Sequence, residues 1–357
     1  MSTRTYRVAV IGRTGRGGYG HLLDRVWKRF PNTPIVGVAD ENPAGLKTAG
    51  ERLGVKALYA DWQKMLREEK PDIVAVCPRW ADCHLDMVLA AAEAHASIYL
   101  EKPMARTLAE ADRMIAACDG AHVKLAVAHQ MMVCPALDYA RQRLAEGLIG
   151  QIQELRGRGK EDRRAGGEDL MVLGTHVMGL LRHFGGDPEW ALGRVTTGGR
   201  DIRREDARQG PEGLGLIAGD AVAGMYAFRS GATGYFASKK SDEEKGARFS
   251  LHIYGSQGVM TIGAGFEPEI HVMSANNWTN APWTRLVMPG NPPPRDDTDA
   301  NQAVVADLLE AIEKDRPPRA GGVEARWTLE MVMALYWSQR TGGRVTFPMK
   351  RREHPLD

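Results

Sequence analysis

Tyr6-Arg7-Val8-Ala9-Val10-Ile11-Gly12, followed directly by Arg13-Thr14-Gly15-Arg16-Gly17-Gly18, is the stretch on which the fold turns. The first part is a short β-branched run closed by glycine, the pattern of a strand buried on both faces. The second part is a glycine-rich loop, and Tyr19 to Arg29 after it reads as a helix. Glycines between a buried strand and a helix allow a tight turn, close approach to the backbone and exposed N–H groups, which a dinucleotide pyrophosphate needs. Gly12, Thr14, Gly15, Arg16 and Gly17 are therefore candidate cofactor residues. Thr14 stands where the ideal G-x-G-x-x-G places its second glycine, so a plain flexible turn is the competing reading.

Reading outward, Pro34 to Asp40 is a second strand and Pro43 to Leu53 a helix. The rhythm continues through Trp62 to Glu68 (helix), Ile73 to Cys77 (strand), His84 to Ala94 (helix), Ser97 to Leu100 (strand), Leu108 to Cys118 (helix) and Lys124 to Ala128 (strand). Such βα alternation predicts a doubly wound parallel sheet. Asp40, at the end of the second strand, is placed to accept hydrogen bonds from an adenosine ribose and to repel a 2′-phosphate, which predicts NAD. Arg13 and Arg16 could each reach a 2′-phosphate and keep NADP open. The alternative for Asp40 is a cap on the helix entered at Pro43. Glu101-Lys102-Pro103 follows the strand at Ser97 to Leu100, so Lys102 falls on the ligand-binding edge of the sheet, where an ammonium could move a proton.

Composition changes near His129, and at 357 residues two domains are expected, 1–128 and 129–357. In the second, Ile152 to Lys160, Ala191 to Thr197, Ala221 to Phe228 and Thr233 to Ala237 read as strands, with Arg229-Ser230-Gly231-Ala232 as a turn. Phe249 to Tyr254 and Val259 to Ile262 form a further hairpin. Helices are predicted at Ala136 to Glu146, Thr175 to Phe184, Asn301 to Lys314 and Val323 to Gln339, and Pro-rich Asn291 to Arg295 is a surface loop. The fold class is α/β: a Rossmann sheet followed by an α/β domain with a large, mostly antiparallel sheet.

A net charge of +2, without clustered basic residues, speaks against a nucleic-acid partner. No apolar run approaches the roughly 18 residues that span a bilayer. A strand beginning at Tyr6 leaves no room for an export signal, and Cys77, Cys83, Cys118 and Cys134 form neither a C-x-x-C pair nor a metal-ligand spacing, so a cytoplasmic protein with reduced thiols and no metal is expected.

Gly12 through Gly18, Asp40, Pro78 with His84, Glu101-Lys102-Pro103, the Pro135 to Gly150 segment ending Gly-Leu-Ile-Gly, and Gly174-Thr175-His176 together resemble the glucose-fructose oxidoreductase and inositol dehydrogenase family over nearly the whole chain. The resemblance implies NAD or NADP as cofactor and a sugar or cyclitol substrate. It also implies a C-terminal open sheet that mediates dimer or tetramer contacts. It makes Lys102 the catalytic lysine, with a cis bond to Pro103, and His176 the active-site histidine, and it places Pro78, His84 and Glu101 near the nicotinamide. The segment Arg79 to Cys83 is two residues longer than usual.

Two departures matter. The acidic residues usually found four positions before and three after the histidine are Val172 and Gly179 here, and Asp169 is our candidate replacement toward substrate, with Glu168, Glu161 and Asp162 nearby. Tyr235, Lys239, Lys240, Trp278 and Trp283 are further candidates for substrate or interface contacts. The resulting expectation is a dehydrogenase acting on a secondary hydroxyl. Two alternatives are an enzyme that cleaves glycosides through transient oxidation by NAD and a non-catalytic regulator that binds NAD or sugar.

Overall fold

The computed structural model describes residues 4–240, 249–265, 268–274, 281–290 and 297–357. It divides into two compact units. The first holds Met1–Gln130 together with Pro211–Gly215 and Arg295–Arg326, and the second holds Met131–Gly210, Leu216–Pro294 and Trp327–Asp357. Trp278 and the Asn291 to Arg295 loop lie outside the described residues.

In the first unit β1 (Val8–Ile11), β2 (Ile35–Ala39), β3 (Leu58–Tyr59), β4 (Ile73–Val76), β5 (Ser97–Leu100) and β6 (Leu125–Val127) form one sheet. Their order is β3-β2-β1-β4-β5-β6, and every pairing is parallel. The order reverses between β1 and β4, which puts a crevice outside their carboxyl ends. Val8, Ala9, Val10 and Ile11 are all fully buried, as their apolar run requires. Helices α1 (Pro43–Leu53), α2 (Trp62–Glu69), α3 (His84–Glu93) and α4 (Leu108–Gly120) connect the strands. Asn42, not Asp40, caps α1, its side chain accepting the Gly45 N–H at 2.9 Å, and Gly54 closes the helix at φ 75°.

The helix expected over Tyr19 to Arg29 does not form. Only a single 3₁₀ turn, Val26–Arg29, is present, after a run of turns. Within the Tyr19 to Arg29 stretch Gly20 and Leu22 stand at φ 63° and 62°, left-handed at two positions where the helix would need the right-handed well, and Gly15, Gly17 and Gly18 just before it stand at 85°, 89° and 57°.

In the second unit α5 (Pro135–Ala145) precedes β7 (Ile152–Arg158). After it come α6 (Gly167–Val172), α7 (Gly174–Gly185), β8 (Pro188–Thr197), β9 (Arg200–Asp201), β10 (Arg208–Gln209) and β11 (Leu216–Ile217). The chain continues through β12 (Ala221–Phe228), β13 (Thr233–Lys239), β14 (Ser250–Gly255), β15 (Gly258–Gly263), β16 (Ile270–Ser274) and β17 (Thr284–Arg285). After α8 (Asp297–Glu313), which belongs to the first unit, the chain ends with α9 (Gly322–Thr341) and β18 (Val345–Thr346). Among the described residues, ten strands make a sheet of order β17-β16-β15-β14-β7-β13-β12-β8-β18, with β9 beside β8. Only β7 with β13 is parallel; the other pairings are antiparallel. The predicted hairpins are β12–β13 and β14–β15.

One face of this sheet is covered by α7 and α9. A side chain at Gly157 would meet Val177 Cγ1 of α7 at 2.4 Å, and one at Gly193 would meet the Leu335 carbonyl oxygen of α9 at 2.5 Å. The other face is open, with Arg156 between the rings of Tyr235 and Tyr254 at 5.8 and 5.3 Å. Among the described residues no helix is long and apolar enough to cross a membrane, and all four cysteines are free thiols.

Candidate active site

The glycine loop is a backbone cradle and not the mouth of a helix. Gly12 N–H bonds the Ala39 carbonyl at 2.9 Å, and Arg13 and Gly18 exchange two backbone hydrogen bonds at 2.9 and 3.0 Å, closing a small hairpin over Gly12 to Gly18. A Cβ at Gly17 would fall 2.3 Å from the Arg79 nitrogen, whereas nothing lies within 4 Å of one at Gly15 or Gly18. The loop is thus pressed against the long Arg79 to Cys83 segment on one side and open on the other. Turns of left-handed glycines can offer N–H groups to an anion without a helix dipole, so these residues fit a pyrophosphate.

Asp40 is only 2% exposed. Its carboxylate accepts the Thr14 N–H at 3.1 and 3.2 Å, the Thr14 hydroxyl at 2.6 Å and the Asn42 N–H at 3.0 Å, tying the loop to the end of β2. Beside it lies a cavity of about 260 Å³ whose lining includes Gly12, Arg13, Glu41, Trp62, Asp82 and Asp86.

At the carboxyl end of β5 the Lys102–Pro103 peptide is cis, as the resemblance implied. Lys102 is 7% exposed and Glu101 fully buried. Glu101 Oε1 accepts the His21 N–H at 2.9 Å and pairs with His21 Nδ1; its Oε2 accepts the Lys102 N–H at 2.5 Å. Burial opposes ionisation of Glu101, but His21 and Lys102 hold its carboxyl down at about 2. His84 is also fully buried: Nε2 faces the Pro78 carbonyl at 2.7 Å, and Nδ1 faces Pro103 O at 3.0 Å and Met104 O at 3.2 Å. Pro78 and His84 therefore brace the turn after Lys102 from behind.

Three residues that sequence reasoning passed over complete this unit. His21 carries the glycine loop onto Glu101. Asn301 of α8, fully buried, accepts from the Tyr99 hydroxyl at 2.7 Å and Gln130 Nε2 at 2.8 Å, and donates to the His21 carbonyl at 2.7 Å. His129 leaves β6 beside Lys102, because Leu100 and Val127 are register partners and each residue follows by two. A histidine shortly after a predicted strand was a signal available in the sequence; the contacts of Asn301 were not.

Burial, followed by the charge of Lys102, pushes His129 down to about 4. A histidine kept neutral in the fold resists the proton that the unfolded chain accepts below about pH 6.5, so stability is lost as pH falls from about 6.5 to about 4, by roughly 3 kcal/mol in total. Urea titrations across that window should show this slope in the unmodified protein and its flattening in His129→Gln. Equal slopes would refute the assignment.

In the second unit His176 is the third residue of α7, half-buried, with its ring edge-on to Phe249 at 6.4 Å. Val172 is buried, and a side chain at Gly179 would meet Met132 sulfur at 3.1 Å, so an apolar environment replaces the family's acidic positions. Asp169 does not stand in for them. It is fully buried, its carboxylate taken up by the Ser238 hydroxyl at 2.6 Å and by the Glu161 and Lys160 N–H groups at 3.1 and 3.3 Å, and burial pushes its carboxyl up. Glu161, 4% exposed, accepts from Arg158 at 2.8 Å and the Lys239 N–H at 2.7 Å, while Asp162 bonds Arg164. The charged segment is thus a pinned loop. Glu168 is half-buried, Tyr235 lies on the open sheet face, and Trp283 is 46% exposed. Among the described residues no group of His, Cys, Asp and Glu is arranged to hold a metal.

Residues 6–129 match the model of an oxidoreductase family with an NAD-binding Rossmann fold. D-apiose dehydrogenase of Paraburkholderia graminis is 27% identical, the alignment covering 99% of this chain and 93% of that protein. Levoglucosan dehydrogenase of Pseudarthrobacter phenanthrenivorans is 26% identical over 71% of each. Among solved structures, a levoglucosan dehydrogenase in complex with NADH and levoglucosan superposes with a TM-score of 0.77 at 20% identity, covering 97% of this chain and all of that one.

Proposed function

Since this chain belongs to the glucose-fructose oxidoreductase, inositol dehydrogenase and MocA family of oxidoreductases, we propose that it is an NAD-dependent dehydrogenase of carbohydrates. The reading rests on one observation above all: the carboxyl edge of a parallel sheet carries both an open glycine loop backed by Asp40 and, at the end of β5, Lys102. When bound, the nicotinamide supplies the acceptor or donor of the hydride exchanged with a secondary hydroxyl carbon of a sugar, glycoside or cyclitol.

The rest is done by this chain's residues. Gly12, Gly15 and Gly17 present backbone to the pyrophosphate, with Thr14 and Arg16 beside them, and Asp40 orders that loop next to the adenosine. Pro78, His84 and Glu101 fix the turn that carries Lys102. In oxidation Lys102, acting as the neutral amine, takes the substrate O–H proton at Nζ as the hydride departs, and the resulting ammonium gives it back in reduction. We assign His176, at the start of α7, the role of orienting a substrate hydroxyl. Asp169 positions the loop before α6.

We place the protein in the cytoplasm as a homodimer or tetramer. The open sheet face, with Tyr235 37% exposed beside Arg156, supports the assembly, because broad partly apolar surfaces mark interfaces. Sedimentation at micromolar concentration should show a dimer or tetramer, and Tyr235→Glu should shift it toward monomer. A monomer at every concentration would refute the assembly.

The function is tested by screening sugars, glycosides and cyclitols with NAD and with NADP while following absorbance of the reduced nicotinamide. Turnover of at least one polyol with NAD is expected. A full screen without turnover by protein that binds NAD would move the reading to a regulator.

A further inference from the structure

The cavity beside Asp40 is lined by Asp40, Glu41, Asp82 and Asp86 on one side of the ledger of charge and by Arg13 on the other. Arg13 is not at liberty there. Its Nε donates to Glu41 Oε1 at 3.0 Å and its Nη1 lies 3.6 Å from Asp82 Oδ1, with only 20% of its side chain exposed. Arg16, the other guanidinium of the glycine loop, reaches Asp82 Oδ2 at 3.8 Å and lies 5.5 Å from the Trp80 ring centre. Both arginines that could answer a 2′-phosphate thus already face carboxylates. Asp40, meanwhile, uses its oxygens on Thr14 and Asn42.

We propose that Arg13 is a specificity-determining residue, and that Glu41 and Asp82 make this chain reject a 2′-phosphorylated adenine nucleotide by holding Arg13 between them. The proposal rests on the reading of the first unit as the NAD domain, and it moves discrimination from Asp40 alone to a clamp beside it. The physical reason is a contest between anions. A planar guanidinium binds a phosphate and a carboxylate by the same two-pronged hydrogen bonding. A 2′-phosphate entering the pocket must therefore displace Glu41 or Asp82, and it meets the repulsion of the carboxylate it frees. A nucleotide with a 2′-hydroxyl has no such conflict. Specificity of this kind works by penalising the wrong ligand.

The test uses adenosine 5′-monophosphate and adenosine 2′,5′-bisphosphate, which probe the pocket without any turnover, titrated calorimetrically into the full chain alongside NAD and NADP. The unmodified protein should bind the monophosphate and NAD in preference to their 2′-phosphorylated counterparts. In Glu41→Gln/Asp82→Asn, affinity for the bisphosphate should rise roughly 10- to 100-fold, the worth of a charge-assisted hydrogen bond released to a new partner, while the monophosphate changes less than about threefold. Adding Arg13→Ala should abolish the gain. Glu41 is largely exposed, and exposed pairs contribute little to stability, so Glu41→Gln alone keeps the fold and should show a smaller gain of the same sign. A double variant that binds the monophosphate but gains nothing for the bisphosphate overturns the inference alone, as does a gain that survives Arg13→Ala. Failure of the unmodified protein to bind either the monophosphate or NAD overturns the cofactor reading, and this inference with it.

Discussion

Lys102→Met is expected to lower turnover on the substrate by about 10² to 10⁴-fold, the usual contribution of a positioned proton-transfer group, while leaving NAD affinity nearly unchanged. Methionine keeps the length of a side chain that is only 7% exposed, so the packing at the end of β5 survives while the group that takes the proton is lost. His176→Ala should lose less, because apolar Val172 and Met132 surround its helix where family members carry acids. Steady-state kinetics with a parallel NAD titration separates the two effects. Near-normal turnover in Lys102→Met would overturn the proton-transfer role.

Glu101→Ala should destabilise the first unit by about 3 kcal/mol, the lower end of the range for breaking a buried ion pair. The lower end applies because His21, left behind, is 26% exposed and can be hydrated. A second signature follows from the carboxyl being held at about 2 against an ordinary 4.5. Its stabilisation is complete above about pH 4.5 and is lost as pH falls toward about 2. Denaturant titrations should therefore show a steeper acid loss between those values in the unmodified protein than in the variant. NAD affinity should also drop, since His21 no longer anchors the glycine loop. A stability change under about 1 kcal/mol would show that the pair is only a surface contact in effect.

Much of the molecule is legible in the order of its residues. Val8 to Ile11, the βα rhythm to Val127 and the hairpins around Gly231 and Gly255 follow from local apolar periodicity and turn chemistry, and strand and helix positions came out within a few residues. The position of Lys102 at a strand end is likewise a local fact. Apolar spacing from Tyr19 to Arg29 suits a helix, but the backbone is left-handed at Gly20 and Leu22, and at Gly20 it runs so close to Cys77 and Glu101 that a side chain there would meet the Cys77 carbonyl oxygen at 2.5 Å and Glu101 Cγ at 2.6 Å.

Partner choice was not legible. Nothing in the composition around Asp169 says that Ser238 will bury it, and nothing near Asn301 says that it will bind Tyr99, Gln130 and His21. Local sequence determined which segments become strands and helices and which strand end carries the lysine, because those depend on neighbours a few residues apart. Only the tertiary structure decided which carboxylates face a ligand and which hold a loop, because a hydrogen bond selects whatever donor the fold brings within 3 Å of it, however distant along the chain.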